Sequence, residues 1–559
     1  VTFGMPMGGG EGSGGGGGPI VTEEQPASRG RVLVPTLLIL GLLVIGWVVF
    51  TSIYTDWLWF SSVEKTEVFQ VRVLTQLGLF AAFATFMAIA LVLNIWLAHR
   101  ARPAFSNLTA EQASLERYRM SIEPYRKLLT IGVAAMFGLM TGLSASAEWQ
   151  TFQLWRNGRD FGSTDAQFGM DLGFFVFDLP WLRFVAGYLF ALTMLCLMAA
   201  FAVHYLYGGI RLQSSGRRFS RAAVVHISIL GAVAMLLKAG MYWLDRFELT
   251  VQSKPLVPGF TGLSYTDVNA VLPSRTILTF AALIVALLFV VSAIRGSFGL
   301  PLIGLALLLA TSLVIGWAYP AFVQYFQVRP TELERESPFI DRNIQATLQA
   351  YDLQDVERIE YAGNEVASIE AISEERGTIE ATRLLDPAVV SPTYRQLQQI
   401  RGFYAFQDTL DVDRYDVDGQ RGTIVAVREL DLEGLPVGQR NWTNDTTVFT
   451  HGFGLVAAYD NTAQSNGSPQ FAESDIPPVG VLDITEPRIY FGENSPLYSI
   501  IGAPEGAPPQ EFDFPDDTSP NGQRNNTYSG GGGAPVGSLF NKLVFATTFQ
   551  DTNILLSDR

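Results

Sequence analysis

Apolar residues gather in seven stretches between Val32 and Phe322, each roughly 19 to 25 residues long, whereas the remaining chain, about 235 residues, contains no such stretch. A helix of about 20 apolar residues covers a hydrocarbon core of about 30 Å. The stretches run 32–53, 73–97, 128–147, 183–207, 222–244, 276–294 and 298–322. The pattern therefore predicts a polytopic α-helical membrane protein with seven transmembrane helices over 31–323, followed by a mixed α+β extracytoplasmic domain over 324–559. Residues 1–30, with GGGEGSGGGGG at 8–18, offer no apolar surface to bury and read as a flexible cytoplasmic tail rather than a cleaved signal peptide.

Basic residues orient the spans, because Lys and Arg in short loops favour the cytoplasm. Arg29 and Arg31 precede the first stretch; Arg100, Arg102, Arg117, Arg119, Arg126 and Lys127 lie between the second and third; Arg211, Arg217, Arg218 and Arg221 lie between the fourth and fifth. The alternate loops carry Trp57, Trp59, Trp149, Trp155 and Trp181, residues suited to an interfacial belt. The expected localisation is thus a membrane, crossed seven times, with the N-terminus inside and everything after about Gln324 outside. Only Arg295, Gly296 and Ser297 join the sixth and seventh stretches, which predicts a tight hairpin.

Beyond the spans, 330–353 has helical spacing through Phe339, Ile344, Leu348 and Tyr351. Strand-like runs follow at 422–430, 446–459 and 487–493, and 502–535, rich in Pro, Gly, Asp and Asn, reads as one long loop. From Gln324 onward there are about 36 acidic and 16 basic residues within a chain of net charge −15. That excess argues against nucleic acid as a partner and favours a soluble domain outside the bilayer. The sole cysteine, Cys196, falls within the fourth stretch, so the outer domain must rest on a packed core without disulfides.

Ionisable residues within spans are costly and mark candidate sites. The fifth stretch holds His226 and Lys238, and the fourth holds His204. Lys238 lies seven positions before Asp245, on the same helical face, and Glu148 closes the third stretch; either acid could pair with Lys238 and line a ligand or ion path. The plainer reading is that Lys238 snorkels to the interface. In the outer part, DTLDVDRYDVDG presents Asp411, Asp413, Asp416 and Asp418 at spacings that suit a hard cation such as calcium. The EF-hand template fails, since with Gly419 in sixth position Arg414 and Val425 would fall at positions one and twelve. A solvated acidic turn is the alternative. His451 is the only histidine outside the membrane region 31–323, and GxSxG, HExxH and P-loop patterns are absent.

Several strings carry a resemblance: FGMDLGFFVFDLP at 168–180, ERESPFIDRNIQATLQAYDL at 334–353, FYAFQDTLDVDRYDVDG at 403–419, VREL at 427–430, FTHGFGLV at 449–456, DIPP at 475–478 and EPRIYFGE at 486–493. In this order they resemble uncharacterised protein family 0182, large multi-pass membrane proteins of actinobacteria and cyanobacteria with an extracytoplasmic domain. The resemblance implies that architecture and brings no reaction, ligand or catalytic residue. It also implies a chain that stops short of the family's usual length, beyond LVFATTFQDTNILLSDR at 543–559. Three functions are expected to compete: an envelope protein whose outer domain binds a protein, lipid or polysaccharide, with the helices in the lipid bilayer as anchor; a channel or transporter with an outer cap; and an envelope enzyme using acids such as Asp411, Asp413 or Asp416.

Overall fold

The computed structural model describes residues 30–103, 110–211, 218–253, 260–358, 360, 368–374, 377, 382–416 and 420–557. Seven helical segments among these are long and apolar enough to cross a membrane. The chain forms two units: residues 67–362, and residues 1–66 together with 363–559.

In chain order the helices before the second part of the discontinuous unit are α1 (Gly30–Ser62), α2 (Thr66–Arg100), α3 (Ala110–Ile122), α4 (Arg126–Ala147), α5 (Trp149–Arg156), α6 (Leu179–Leu206), α7 (Arg221–Glu248), α8 (Leu272–Arg295), α9 (Gly299–Leu313), α10 (Tyr319–Phe322) and α11 (Glu332–Ala350). The unit of residues 67–362 is held together largely by close approach at small residues. A Cβ on Gly231 of α7 would sit 2.6 Å from the Phe289 ring of α8, and one on Gly138 of α4 would sit 2.9 Å from the Ala84 carbonyl of α2. Such close contact gains dispersion energy.

Four π-helical segments in this unit, Phe174–Asp178, Asp267–Val271, Val314–Ala318 and Val323–Val328, are each followed two residues later by a proline: Pro180, Pro273, Pro320 and Pro330. Proline supplies no N–H and crowds the preceding turn, and a widened turn accommodates both. The last two of these segments lie inside the helical run Gly299–Ala350, which changes to a 3₁₀ turn at Arg329–Thr331 before α11. The expected hairpin is present: Gly296 adopts φ +75°, and the Ser292 hydroxyl donates to the Ser297 carbonyl at 2.7 Å. The expected helix at 330–353 is α11, and it is gripped by loops of the same unit. Tyr265 N–H donates to Glu336 at 2.9 Å, Asn343 to the Thr261 carbonyl at 2.8 Å and Gln349 to Ser163 at 3.0 Å.

In the other unit, α12 (Ile369–Glu374) and α13 (Pro387–Gln398) precede strands β1 (Tyr404–Ala405), β2 (Asp411–Asp416), β3 (Gln420–Val427), β4 (Glu429–Leu430), β5 (Gly452–Phe453), β6 (Leu455–Ala463), β7 (Pro469–Ser474), β8 (Val479–Gly480), β9 (Arg488–Ile489), β10 (Glu511–Pro515) and β11 (Gln523–Asn526), and α14 (Leu539–Phe549) closes the series. Five strands form an antiparallel sheet in the order β2-β3-β6-β7-β8. Ile424, Val456 and Ala458 face α13, where Val390 and Tyr394 complete a core with Phe406 and Leu410. Val425, Ala457, Tyr459 and Ala472 build a second core on the other face. The alternation predicted by period two is thus realised twice.

Three sequence expectations need correction. The stretch 502–535 contains the β10–β11 hairpin, pairing Phe512 with Asn525, because its EFDFP run, with Phe512 and Phe514 in alternation with acids, finds a partner across the Asp/Gly-containing turn. The run 446–459 is broken into a π turn at Asn444–Val448 and the separate strands β5 and β6, since Gly454 at φ +87° redirects the chain. The run 487–493 supplies only the two-residue β9, paired to Gly452 and Phe453.

Helix α14 lies along α1 within this unit. The Trp47 indole donates to Thr547 Oγ1 at 3.2 Å and the Tyr54 hydroxyl to Asn541 Oδ1 at 3.2 Å, so the two helices run antiparallel over about 10 Å. Phe540 fills the space beside Trp47, Phe50 and Tyr54, its ring 5.6 Å from that of Tyr54.

Candidate ligand cleft and buried polar chains

A cleft of about 700 Å³ opens between the C-terminal turn of α13, the segment after β1, the 3₁₀ turn Leu432–Gly434 and the turn at Asn494–Pro496. Its charged lining is Arg395, Asp408, Asp431 and Glu433, three acids to one base. Arg395 already pairs with Asp408 and donates to the Phe406 carbonyl at 3.2 Å. Asp431 Oδ1 accepts from the Glu433 N–H at 3.0 Å, an Asx turn that fixes the acidic lip. The cleft is therefore a negative, hydrogen-bonding surface that would receive a cationic or hydroxyl-rich group.

The VREL string ties the elements around this surface together. In VREL, Arg428 is wholly buried, and its guanidinium donates to the Gln398 carbonyl at 2.5 Å, Gln398 Oε1 at 2.7 Å and the Phe453 carbonyl at 3.3 Å. Burial brings its pKa down to about 10, so it keeps its charge at neutral pH. Its neighbour Glu429 accepts from the Asn494 N–H at 2.7 Å and so ties the far wall of the cleft to β4.

Behind this lies a second buried group. Arg488 holds Asp513 through two hydrogen bonds, and the His451 ring meets the same carboxylate at 3.4 Å. A carboxylate can only accept, so His451 Nε2 carries the proton and Nδ1 accepts from the Thr450 hydroxyl at 2.9 Å. Thr450, His451 and Asp513 are only 2 to 4% exposed, which leaves no room for a substrate at this Thr-His-Asp line. Burial alone would raise the Asp513 carboxyl, but hydrogen bonds from His451 and Arg488 outweigh it and hold the group below the ordinary carboxylate range. Close by, Tyr490 donates to Glu511 at 2.7 Å, and burial together with that carboxylate pushes the phenol up.

The helical unit contains a different polar arrangement. Asn94 of α2 donates to the Cys196 carbonyl of α6 at 2.7 Å, which leaves its Oδ1 as the acceptor for His226 Nε2 of α7 at 3.0 Å. His226 Nδ1 then accepts from His204 Nε2 of α6 at 3.3 Å. The chain has a fixed direction, and it ends at His204 Nδ1, a buried acceptor with no hydrogen-bond partner among the described residues. His226 was expected from the sequence and His204 was weighed beside it; Asn94 was missed, although an asparagine within an apolar stretch is itself a signal.

The remaining span candidates are placed apart from this chain. Asp245 lies 3.4 Å from Arg183 and 3.7 Å from Arg275, and Arg183 also pairs with Glu248. The Lys238 ammonium sits 4.4 Å over the Tyr242 ring, and Glu148 accepts from Thr151 at 2.7 Å. Of the acidic string, Asp411, Asp413 and Asp416 lie exposed on β2, the edge strand, with Asp411 and Asp413 on one face and Asp416 on the other. Asp418 lies outside the described residues. Among the described residues no group of three or more His, Cys, Asp or Glu is arranged to hold a metal ion.

The model of the uncharacterised protein family UPF0182 matches residues 33–559. The chain belongs to the UPF0182 family. A UPF0182 protein of Streptomyces coelicolor is 42% identical over 543 residues, covering 96% of this chain and 53% of that protein. A UPF0182 protein of Kineococcus radiotolerans is 46% identical over 512 residues, covering 91% and 50% respectively. One from Frankia alni is 45% identical over 545 residues, covering 96% and 52%. The chain thus spans about half the length of the curated UPF0182 relatives it matches. No solved structure matches it.

Proposed function

We propose that this UPF0182 chain is an integral protein of the bacterial plasma membrane whose C-terminal part, outside the cytoplasm, binds a cationic or hydroxyl-rich envelope component, with the apolar helices as its anchor. The observation that carries the reading is the cleft lined by Arg395, Asp408, Asp431 and Glu433 and stiffened from behind by Arg428 and Glu429. Anchoring, rather than conduction, is supported by the packing around Lys238. Ala239, Tyr242, Leu278 and Ala282 form an apolar cluster there, with Leu308 against it.

The test uses the whole chain in nanodiscs and a panel of amine-bearing, neutral and carboxylated envelope polysaccharides, read by thermal shift. Amine-bearing or neutral polymer should stabilise the protein, and Asp431→Asn with Glu433→Gln should remove the shift while leaving the unliganded melting temperature in place. A shift that survives the double substitution would move binding elsewhere.

The directed chain from His204 to Asn94 supports a second reading, proton transfer within the helices. Reconstituted vesicles with a trapped pH dye should then show flux that His226→Asn abolishes; vesicles as tight as protein-free controls would retire it.

A further inference from the structure

We propose that the helical unit binds an anionic phospholipid between α6, α7, α8 and α9. The inference rests on the bilayer placement of these helices and is independent of the cleft. Two cavities meet at this place. One, of about 410 Å³, is lined by Arg218, Arg221 and Arg295 around the α8–α9 hairpin. The other, of about 330 Å³, runs between the helices and is lined only by apolar residues, among them Phe201, Ala234, Met235, Phe289 and Leu305. Phe219, Phe298 and Leu302 line both, so the basic mouth and the apolar crevice lie on either side of one shared wall.

The mouth is a folded structure. The chain after α6 turns back on itself, with Arg211 N–H donating to the Arg218 carbonyl and Ser220 N–H to the Gly209 carbonyl, each at 2.8 Å. Phe219 packs edge-on against Phe298 at 5.0 Å, and both rest on Ile210, Ala223 and Ile227. These contacts set Arg218 and Arg221 opposite Arg295. Among the described residues, none of the three arginines has an ion-pair partner.

Three guanidinium groups clustered at one helix-end level attract phosphate, since basic pockets between helices on the cytoplasmic side are suited to anionic head groups. The crevice decides between lipid and a free anion. From Arg221 to Met235 along α7 is about 21 Å, more than one leaflet's half of a core of about 30 Å, so an acyl chain can follow the groove while its phosphate stays at the arginines. A soluble phosphate would gain nothing from the Phe201, Phe289 and Leu305 surface.

Native mass spectrometry of the full chain in detergent, with phosphatidylglycerol, phosphatidylcholine or inorganic phosphate, tests this. Phosphatidylglycerol should be retained in preference to phosphatidylcholine, and Arg218→Gln, Arg221→Gln and Arg295→Gln together should weaken its retention about a hundredfold. Leu305→Trp, which fills the crevice, should weaken both lipids and leave the melting temperature of delipidated protein within a few degrees. Equal retention of the two lipids, an unaffected triple variant, or full competition by inorganic phosphate would overturn the proposal. Resistance of the protein to alkaline extraction from cell membranes is read in parallel. Loss of resistance would reject the bilayer placement itself, whereas loss of lipid preference with resistance intact would reject only the site.

Discussion

Arg488 grips Asp513 in a two-pronged pair, Nε to Oδ1 at 2.8 Å and Nη2 to Oδ2 at 3.0 Å, with His451 against the same carboxylate. The guanidinium fork matches a carboxylate as an ammonium cannot. Arg488→Ala should leave Asp513 buried without its main partner and cost about 3–5 kcal/mol, and Arg488→Lys should recover only part of this. Denaturant unfolding of the full chain in detergent, followed through the C-terminal unit, measures both. If Arg488→Ala unfolds at the wild-type midpoint, the pair has no such weight.

The same pair sets a pH dependence. The Asp513 carboxyl is held below its ordinary range in the folded state, so its contribution is fully present above the unfolded value, about 3.9, and is lost as pH falls through the lower folded value. Stability should therefore fall in that acid window, and Asp513→Asn should flatten the fall. Midpoints measured between pH 2.5 and 5 for both proteins decide it.

Gly231 and Phe289 pack so closely that no side chain fits between them. Gly231→Ala should cost about 1–3 kcal/mol by overpacking, and adding Phe289→Leu should recover most of that loss. Additive losses in the double variant, seen as melting temperatures in detergent, would mean that the two sites do not touch.

Within the histidine chain, His226→Leu removes the partner of both His204 Nε2 and Asn94 Oδ1. Two buried polar groups are stranded at about 1–3 kcal/mol each. Asn94→Leu placed on top should cost less than it does alone, because one stranded group disappears with it. A double-mutant cycle with no coupling would contradict the hydrogen-bonded line.

The pairing of α1 with α14 can be captured directly. In a Cys196→Ala background, Phe50→Cys with Phe540→Cys should cross-link through a short bismaleimide, as the two rings lie 6.2 Å apart. Val44→Cys with Phe540→Cys, two turns further along α1, should not.

The apolar helices were legible because a run of about 20 apolar residues has few other solutions. The α8–α9 hairpin was equally plain, since three residues cannot span more than a turn. The π segments were not anticipated, although each of the four in the helical unit announces itself by a proline two residues downstream. The candidate sites were harder, for a local reason. Sequence places Lys238 and Asp245 on one helical face, but Arg183 and Arg275 on neighbouring helices lie within reach of the acid. His204 and His226 come from different helices, and nothing in their spacing shows that the rings meet. In the C-terminal unit the conspicuous acids of β2 face solvent, while the charges that organise the interior, Arg428, Glu429 and Asp513, sit in short strand runs among apolar residues. One or two charges flanked by apolar and aromatic residues were the available signal, and density of charge drew the eye elsewhere.

The contact between Tyr54 and Asn541 spans 487 positions of sequence. At ribosomal speeds of about 5–20 residues per second, α14 is made about 25 to 100 s after the helix it packs against. Throughout that interval the nascent α1 has its aromatic flank of Trp47, Phe50 and Tyr54 without its eventual cover. A ribosome that stalls anywhere before residue 541 leaves that flank bare, so an arrested chain offers quality control an aromatic stripe on α1 that α14 would otherwise cover.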